Sequence, residues 1–471
     1  MSPQRSVRHT PGFPEEFKKV MIQQLGNESQ HLFEVLNQKP PVSIRFNLSK
    51  RIEGNTQTQN EIVEWSESAV YLDKRPKFTL DPHHHAGVYY VQEAASMFVS
   101  YALKQYINNE GAKLRILDLC AAPGGKSTLL SELGKNNLIV SNELIRSRYA
   151  ILRENLLKWG GLNYITTSQD PSSFSKLKAF FDIILIDAPC SGEGMFRKDR
   201  DARSEWSLGL VELCQKRQRR IISDVYEALK PGGLLLYCTC TLNRQENEDN
   251  IRWMQDNFKL KSVAIESEPD WGIKQSDVSD IYAYRFYPHL TRSEGFFISL
   301  LVRDGTPGGD ASKVRKRNKN PDTLKLASKK MRSSLENYFL VSSNHHILED
   351  QNGLYRLITE HILEDVQQLS QKLNKIHCGM PVGAFKRDSF IPHHGLAMAV
   401  DCDLHFPELS VDLETALRFL KKESLPIESQ EKVWQILTFQ GIKLGWVKAV
   451  TGRLNNYYPK EYRIKMHLDH A

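Results

Sequence analysis

The chain has no apolar run long enough to span a membrane. Its longest nearly unbroken apolar stretch is Phe296 to Val302, against the roughly 20 residues a spanning helix needs, so no membrane partner is expected. The opening segment, MSPQRSVRHTPGFPEEF, lacks the apolar core of a secretory leader. Cysteine is also scarce. There are seven, an odd number with no C-x-x-C pair, so neither a zinc knuckle nor the disulfide framework of a small secreted scaffold is expected. No metal is assigned, and a reducing cytoplasm fits best. Wholesale disorder is excluded as well, because 40% of the residues are hydrophobic and only 25% charged. The 471 residues leave room for several domains.

The formal charge of +7 is local. Between Lys313 and Arg332 stand nine Lys or Arg and one acid, Asp322, a net of +8 that leaves −1 for everything else. This segment follows the Gly/Pro-rich stretch Asp304–Asp310 and reads as a linker or exposed helix. It is either a solvated arm or a strip that meets nucleic-acid phosphates.

Upstream, an amphipathic helix is expected near Pro14–Leu25 and a strand over Val42–Leu48. From Leu114 onward, apolar strands alternate with helical stretches. Strands are expected at Lys113–Leu119, Leu138–Asn142, Tyr164–Thr167, Phe181–Asp187 and Gly233–Cys238. Helices are expected at Lys126–Leu133, around Ser147–Lys158, and at Leu208–Leu229, the last closed by Lys230-Pro-Gly-Gly233. Continuous apolar strands separated by helices indicate an α/β fold with a parallel sheet covered on both faces. Ligands in such folds bind beyond the carboxyl ends of the strands.

The stretch Asp118–Thr128, DLCAAPGGKST, joins the first strand to a helix. Small residues let the backbone approach a ligand there. It is not a P-loop, because Cys120 stands where the first glycine belongs and Pro123 removes an amide. Glu143 ends the second strand, at the distance that suits a carboxylate on a ribose. Asp170 follows the third strand, where it can meet an adenine. A glycine turn with two strand-end acids describes a nucleoside cofactor without an obligatory pyrophosphate, and S-adenosylmethionine fits.

The fourth strand ends Asp187-Ala-Pro-Cys190. A thiol at that fourth position implies attack on carbon. A thiolate adds to C6 of a pyrimidine, C5 becomes nucleophilic, and it takes a methyl group. Asp187 is placed to bond N3 and the exocyclic amine of cytosine. The fifth strand ends Tyr237-Cys-Thr-Cys-Thr241, where Cys238 reads as core and Cys240 reaches the mouth of the sheet. Chemistry alone leaves Cys190 and Cys240 both open as nucleophile, and structural cysteines filling small gaps are the bland alternative. His83–His85 reads as a solvated turn.

With DLCAAPGGKST, DAPCSGEG, KPGG and YCTCTLNRQENE in that order, the chain resembles the NOL1/NOP2/Sun family of S-adenosylmethionine-dependent RNA cytosine-C5 methyltransferases. The likeness extends to Ser43–Leu48, Tyr89–Ser96, Arg285–His289 and Gly295–Phe297. Glu193–Asp199 and the C-terminal Gly452–Lys460 point to its bacterial 16S rRNA branch. The resemblance implies a Rossmann-like class I methyltransferase sheet at 81–303. It also implies an N-terminal α+β extension at 1–80, a basic linker at 304–335 and a PUA-like RNA-binding region at 336–471. It implies that Cys120, Ala121, Ala122, Pro123, Gly124, Gly125, Lys126, Glu143, Asp170 and Asp187 hold the cofactor and target base. Cys240 is then the nucleophile and Cys190 assists release, with Lys198 steadying the base or backbone. Two departures stand out, since Asp170-Pro171 replaces the usual Asp-Gly and Cys238 a frequent serine. Trp446 and Tyr457 either stack on RNA bases or fill a small β core. The expected partner is 16S rRNA or the small ribosomal subunit, bound by a monomer. The same chemistry on tRNA, or a silent assembly factor, are the alternatives. Intact Cys240, Cys190 and Asp187 count against the second.

Overall fold

The computed structural model describes residues 12–50, 60–107, 111, 113–305, 324–425, 433–450 and 453–466. At its centre lies a mostly parallel sheet. Its strands are β1 (Arg115–Asp118), β2 (Leu138–Asn142), β3 (Tyr164–Thr167), β4 (Phe181–Asp187), β5 (Leu229–Thr239) and β6 (Phe296–Arg303). They lie in the order β6-β5-β4-β1-β2-β3, all parallel except β6, and further short strands extend both edges. Ile116, Leu117, Ile139, Val140, Ile184 and Leu185 are buried. Sandwiching between two helical layers explains why these strands read as unbroken apolar runs.

The helices that connect the strands include α1 (Gly125–Leu130), α2 (Arg146–Trp159) and α3 (Leu208–Val225). In α3, Val211, Cys214, Gln218, Ile221, Ile222 and Val225 face inward at helical spacing, and Ser207 caps its start by accepting from the Leu210 N–H. Gly160 ends α2 at φ +94°. A Cβ there would lie 2.3 Å from the Met398 carbonyl oxygen, so close packing of the C-terminal half also requires the glycine.

Lys230–Gly233 does not close α3, contrary to expectation. The helix stops at Val225, a 3₁₀ turn covers Tyr226–Ala228, and β5 already begins at Leu229 opposite Phe181. The register then shifts, so that Ile183 faces Leu234 and the Pro-Gly-Gly segment bulges within the strand. Sequence showed the breaker residues but not the strand pairing that absorbs them.

The N-terminal sheet runs past residue 80. Val42–Phe46 pairs with Ser66–Leu72 and with Tyr89–Val91. Within the expected linker, residues 306–323, and with them most of the basic run, lie outside the described residues. The remainder is structured, with Lys325–Leu326 edging a five-stranded antiparallel sheet ahead of the helix Lys329–Glu336. The C-terminal region holds two sheets, this one and a four-stranded sheet over Glu408–Asn456. It also lends the strand His377–Cys378 to the central sheet beside β3.

His83–His85 is no solvated turn. Asp81 caps a short helix over Pro82–His85 by accepting the His83 N–H at 2.9 Å, and His85 is buried. His83 packs 5.4 Å from the Phe439 ring and His84 5.7 Å from that of Tyr89, so the cover comes both from nearby residues and from the far end of the chain. No helix among the described residues is long and apolar enough to cross a membrane.

Candidate active site

The strand order reverses between β1 and β4, and open α/β sheets take ligands in the crevice at such a switch point. A cavity of about 810 Å³ opens there. Cys120, Pro123, Lys126, Glu143, Asp170, Asp187, Cys190, Lys198 and Cys240 all line it. Ala121, Ala122, Gly124 and Gly125 form the turn that carries three of these residues.

That turn is held from behind. The Ala121 N–H donates to the Asn142 carbonyl at 2.8 Å, Arg148 donates to Ala122 O at 2.7 Å, and Asn155 donates to Pro123 O at 2.8 Å. The Ala122–Pro123 peptide is cis, and Gly124 sits at φ +114°, a conformation that favours glycine. Glu143 accepts the Ile145 N–H at 2.8 Å, and its second oxygen lies 3.5 Å from Arg148. Asp170 is more engaged than expected. Ser172 donates to it from its hydroxyl and its N–H, and Arg220 donates to both of its oxygens at 3.0 Å, which together hold the carboxyl below its usual range.

At the opposite end, the sulfurs of Cys190 and Cys240 lie 3.3 Å apart. The Cys240 contact, together with burial, raises the Cys190 thiol well above the ordinary cysteine range, so it keeps its proton. Cys238 is fully buried in the core and two residues short of the mouth, as its place on the strand foretells. Lys126 reaches from α1 to donate to Asp187 at 2.9 Å and lies 5.2 Å above the Phe296 ring. Burial opposes its charge, yet Asp187 and its neighbours push its proton affinity above that of an ordinary lysine.

The two cysteine loops are joined by buried carboxylates that lie within the family motifs but had been given no role. Glu246 accepts the N–H and the hydroxyl of Ser191, beside Cys190, and also Asn243 and Gln218 amide N–H groups at 2.9 and 2.7 Å. Burial raises its pKa. Glu193 accepts the Leu242 and Asn243 N–H groups at 2.7 and 2.8 Å. Arg285, from the Arg285–His289 motif, ion-pairs with Glu248 and donates to the Leu242 carbonyl at 2.7 Å.

Sequence models of known families match three parts of the chain. One described as 16S rRNA methyltransferase RsmB/F covers residues 105–302, the N-terminal domain of RsmF covers 13–94, and the RsmF PUA domain covers 406–464. The chain is 32% identical over 413 residues to ribosomal RNA small subunit methyltransferase F of Shewanella loihica, spanning 86% of this chain and 84% of the relative. The chain belongs to the RsmF family of 16S rRNA methyltransferases. The Pectobacterium atrosepticum member is 37% identical over 256 residues, about half of each chain (53% and 52%). Among solved structures, a methyltransferase homolog from Pyrococcus horikoshii is 28% identical with a TM-score of 0.53, over 62% of this chain and 96% of that one. The NSun6 structure from the same organism, with SFG, shares the fold at 20% identity and TM-score 0.53, over 63% of this chain and all (100%) of that one.

As an RsmF-family member, the protein is an S-adenosylmethionine-dependent rRNA methyltransferase of mixed α/β fold with an RNA-binding PUA domain. The cavity suits that cofactor. Three strand-end carboxylates, Glu143, Asp170 and Asp187, line one crevice beside the turn that carries Pro123, where open α/β sheets take nucleoside ligands. Sequence reasoning passed over Glu93 and Glu294, which also line the cavity. Glu93 accepts the N–H groups of Ala95, Ser96 and Glu294 at 2.8 to 3.2 Å. Burial and the neighbouring Glu294 raise its pKa to about 7. Both lie in stretches tied to the family, Tyr89–Ser96 and beside Gly295–Phe297, so only their meeting across the fold was illegible.

Proposed function

We propose that the protein methylates C5 of a cytidine in 16S rRNA through a covalent adduct between Cys240 and C6. The single observation carrying this reading is the pair of sulfurs 3.3 Å apart in the same cavity as the Lys126–Asp187 pair. Cys240 adds its sulfur to C6, and the C5=C6 electrons move toward N3, which takes up the proton the thiol gives up. Asp187 accepts from the exocyclic amine and faces the protonated N3, while Lys126 holds that carboxylate in place. Cys120–Lys126 and Glu143 would hold S-adenosylmethionine, whose S–CH3 bond would break as C5 takes the methyl group, leaving S-adenosylhomocysteine. A solvent water then takes the C5 proton, the C5=C6 bond is restored as the Cys240 sulfur is expelled, and the N3 proton returns to that sulfur. Cys190, holding its own proton beside the departing sulfur, donates a hydrogen bond that eases its release.

The test uses full-length Cys190→Ala and Cys240→Ala proteins with 16S rRNA and cofactor, resolved on denaturing gels. The first is expected to trap a protein–RNA adduct and the second none. The reverse result would exchange the roles of the two cysteines. Neither adduct nor methylation with any form, wild type included, would favour an rRNA-binding assembly factor instead.

A further inference from the structure

The two cysteines sit on separate loops, and a 3.3 Å approach of two sulfurs across loops needs an external constraint. Backbone pairing supplies only part of it. The Ala188 N–H donates to Cys238 O at 2.9 Å and the Gly194 N–H to Cys240 O at 2.7 Å. The rest is reciprocal. Glu246, on the Cys240 loop, accepts the backbone N–H and the hydroxyl of Ser191, the residue after Cys190. Glu193, on the Cys190 loop, accepts the backbone N–H groups of Leu242 and Asn243, just after Cys240. The Asn243 amide donates to both carboxylates at 2.9 Å and locks the two halves together. All three side chains are buried, where hydrogen bonds to a carboxylate are strong and geometrically demanding.

Building on the covalent reading above, we infer that Glu193 and Glu246 are positioning residues, each setting chiefly the sulfur of the facing loop, Glu193 the attacking one and Glu246 the releasing one. The assignment follows from what each carboxylate grips. Glu246 fixes the backbone next to Cys190, so weakening it lets the release thiol drift while Cys240 still attacks. Glu193 fixes the backbone next to Cys240, so weakening it misplaces the nucleophile before any bond forms. A displacement of about 1 Å costs such a step on the order of a hundredfold.

The two effects separate on a denaturing gel. Full-length Glu246→Gln, incubated with a 16S rRNA transcript and S-adenosylmethionine, is expected to accumulate adduct as Cys190→Ala does, while turnover falls by about tenfold or more. Glu193→Gln is expected to lose turnover without accumulating adduct, as Cys240→Ala does. Cofactor binding by calorimetry, unchanged in both, separates positioning from unfolding. Should either Gln variant fail to fold, Ser191→Ala removes one donor to Glu246 and is expected to accumulate adduct to a smaller degree. Equal losses without adduct, wild-type turnover in both, or adduct with both variants would overturn the inference. Phenylarsine oxide, which bridges paired thiols, tests positioning without RNA. Wild type is expected to bind it about tenfold more tightly than either Gln variant, with Cys190→Ala and Cys240→Ala as controls, and equal binding would overturn the inference. If Cys190→Ala traps adduct while Glu246→Gln does not, the positioning role fails alone. If no form traps adduct, the covalent reading fails and the arsenical result judges the geometry by itself.

Discussion

Lys126 Nζ lies 2.9 Å from Asp187 Oδ2, joining the first turn of α1 to the carboxyl end of β4. The pair spans the switch point of the sheet, so one contact connects the small-residue turn after β1 with the Asp187–Cys190 tetrapeptide after β4. Removing the lysine leaves a carboxylate in the cavity without its strongest donor. Hydrogen bonds to charged groups contribute about 1.5–3 kcal/mol. Lys126→Met is therefore expected to slow single-turnover methyl transfer by roughly 10- to 150-fold, measured by methyl incorporation into 16S rRNA.

Gly194 gives a steric counterpart. A Cβ there would come 2.6 Å from the Cys240 carbonyl oxygen and 2.9 Å from the Gly295 carbonyl oxygen. Both are backbone atoms and cannot swing away. Gly194→Ala is expected to shift the Cys240 loop and reduce methylation on the order of a hundredfold, while cofactor binding by calorimetry stays near wild type.

Asp118, at the end of β1, predicts a pH dependence. It is fully buried, one oxygen accepts the Ser127 hydroxyl at 2.6 Å, and the other has no partner among the described residues. Burial raises its pKa from the usual 3.8 to about 7. Between those values the folded protein holds a proton the unfolded chain has lost, so this group's contribution to stability falls as pH rises from about 4 to 7 and is level above. The size is on the order of a few kcal/mol. Asp118→Asn, which cannot ionise, is expected to flatten that slope and to raise the unfolding midpoint at pH 8, both read by thermal denaturation across pH.

Sequence legibility followed burial on both faces. Leu138–Asn142, Tyr164–Thr167 and Phe181–Asp187 form strands with the bounds their apolar runs imply, because a strand covered by helices on each side needs no alternation. Cys190 and Cys240 were legible as a pair because each follows such a strand. The Lys230–Gly233 segment misled because glycine and proline signal a break without saying whether a helix or a bulged strand surrounds it. His83–His85 misled because its rings pack on Phe78 and Tyr89 nearby and on Phe439 across the chain, and a polar triplet after a proline carries no sign of that cover. The Glu193–Glu246 staple was hidden for the same reason, since each acid taken alone reads as a surface carboxylate in a polar loop.

Trp446 and Tyr457 differ in exposure, which bears on the two roles that sequence left open. Trp446 is 1% exposed, donates to the His393 carbonyl at 2.9 Å and packs edge-on against Phe406, so it is core. Trp446→Ala is expected to cost about 3–5 kcal/mol of stability, seen in denaturant unfolding. Tyr457 is 42% exposed, its ring centre 4.4 Å from Trp434, and Lys448 stands 5.1 Å over that same Trp434 ring. An exposed aromatic beside a cation fits a base with a phosphate next to it, and stacking contributes about 1–3 kcal/mol per base. Tyr457→Ala is therefore expected to weaken binding of a 16S rRNA fragment by roughly 5- to 150-fold in a filter-binding assay at fixed salt, with the unfolding midpoint nearly unmoved. An exposed ring removed from a surface leaves little cavity behind, whereas a buried one leaves its full volume, so stability and RNA affinity should respond to these two substitutions in opposite order.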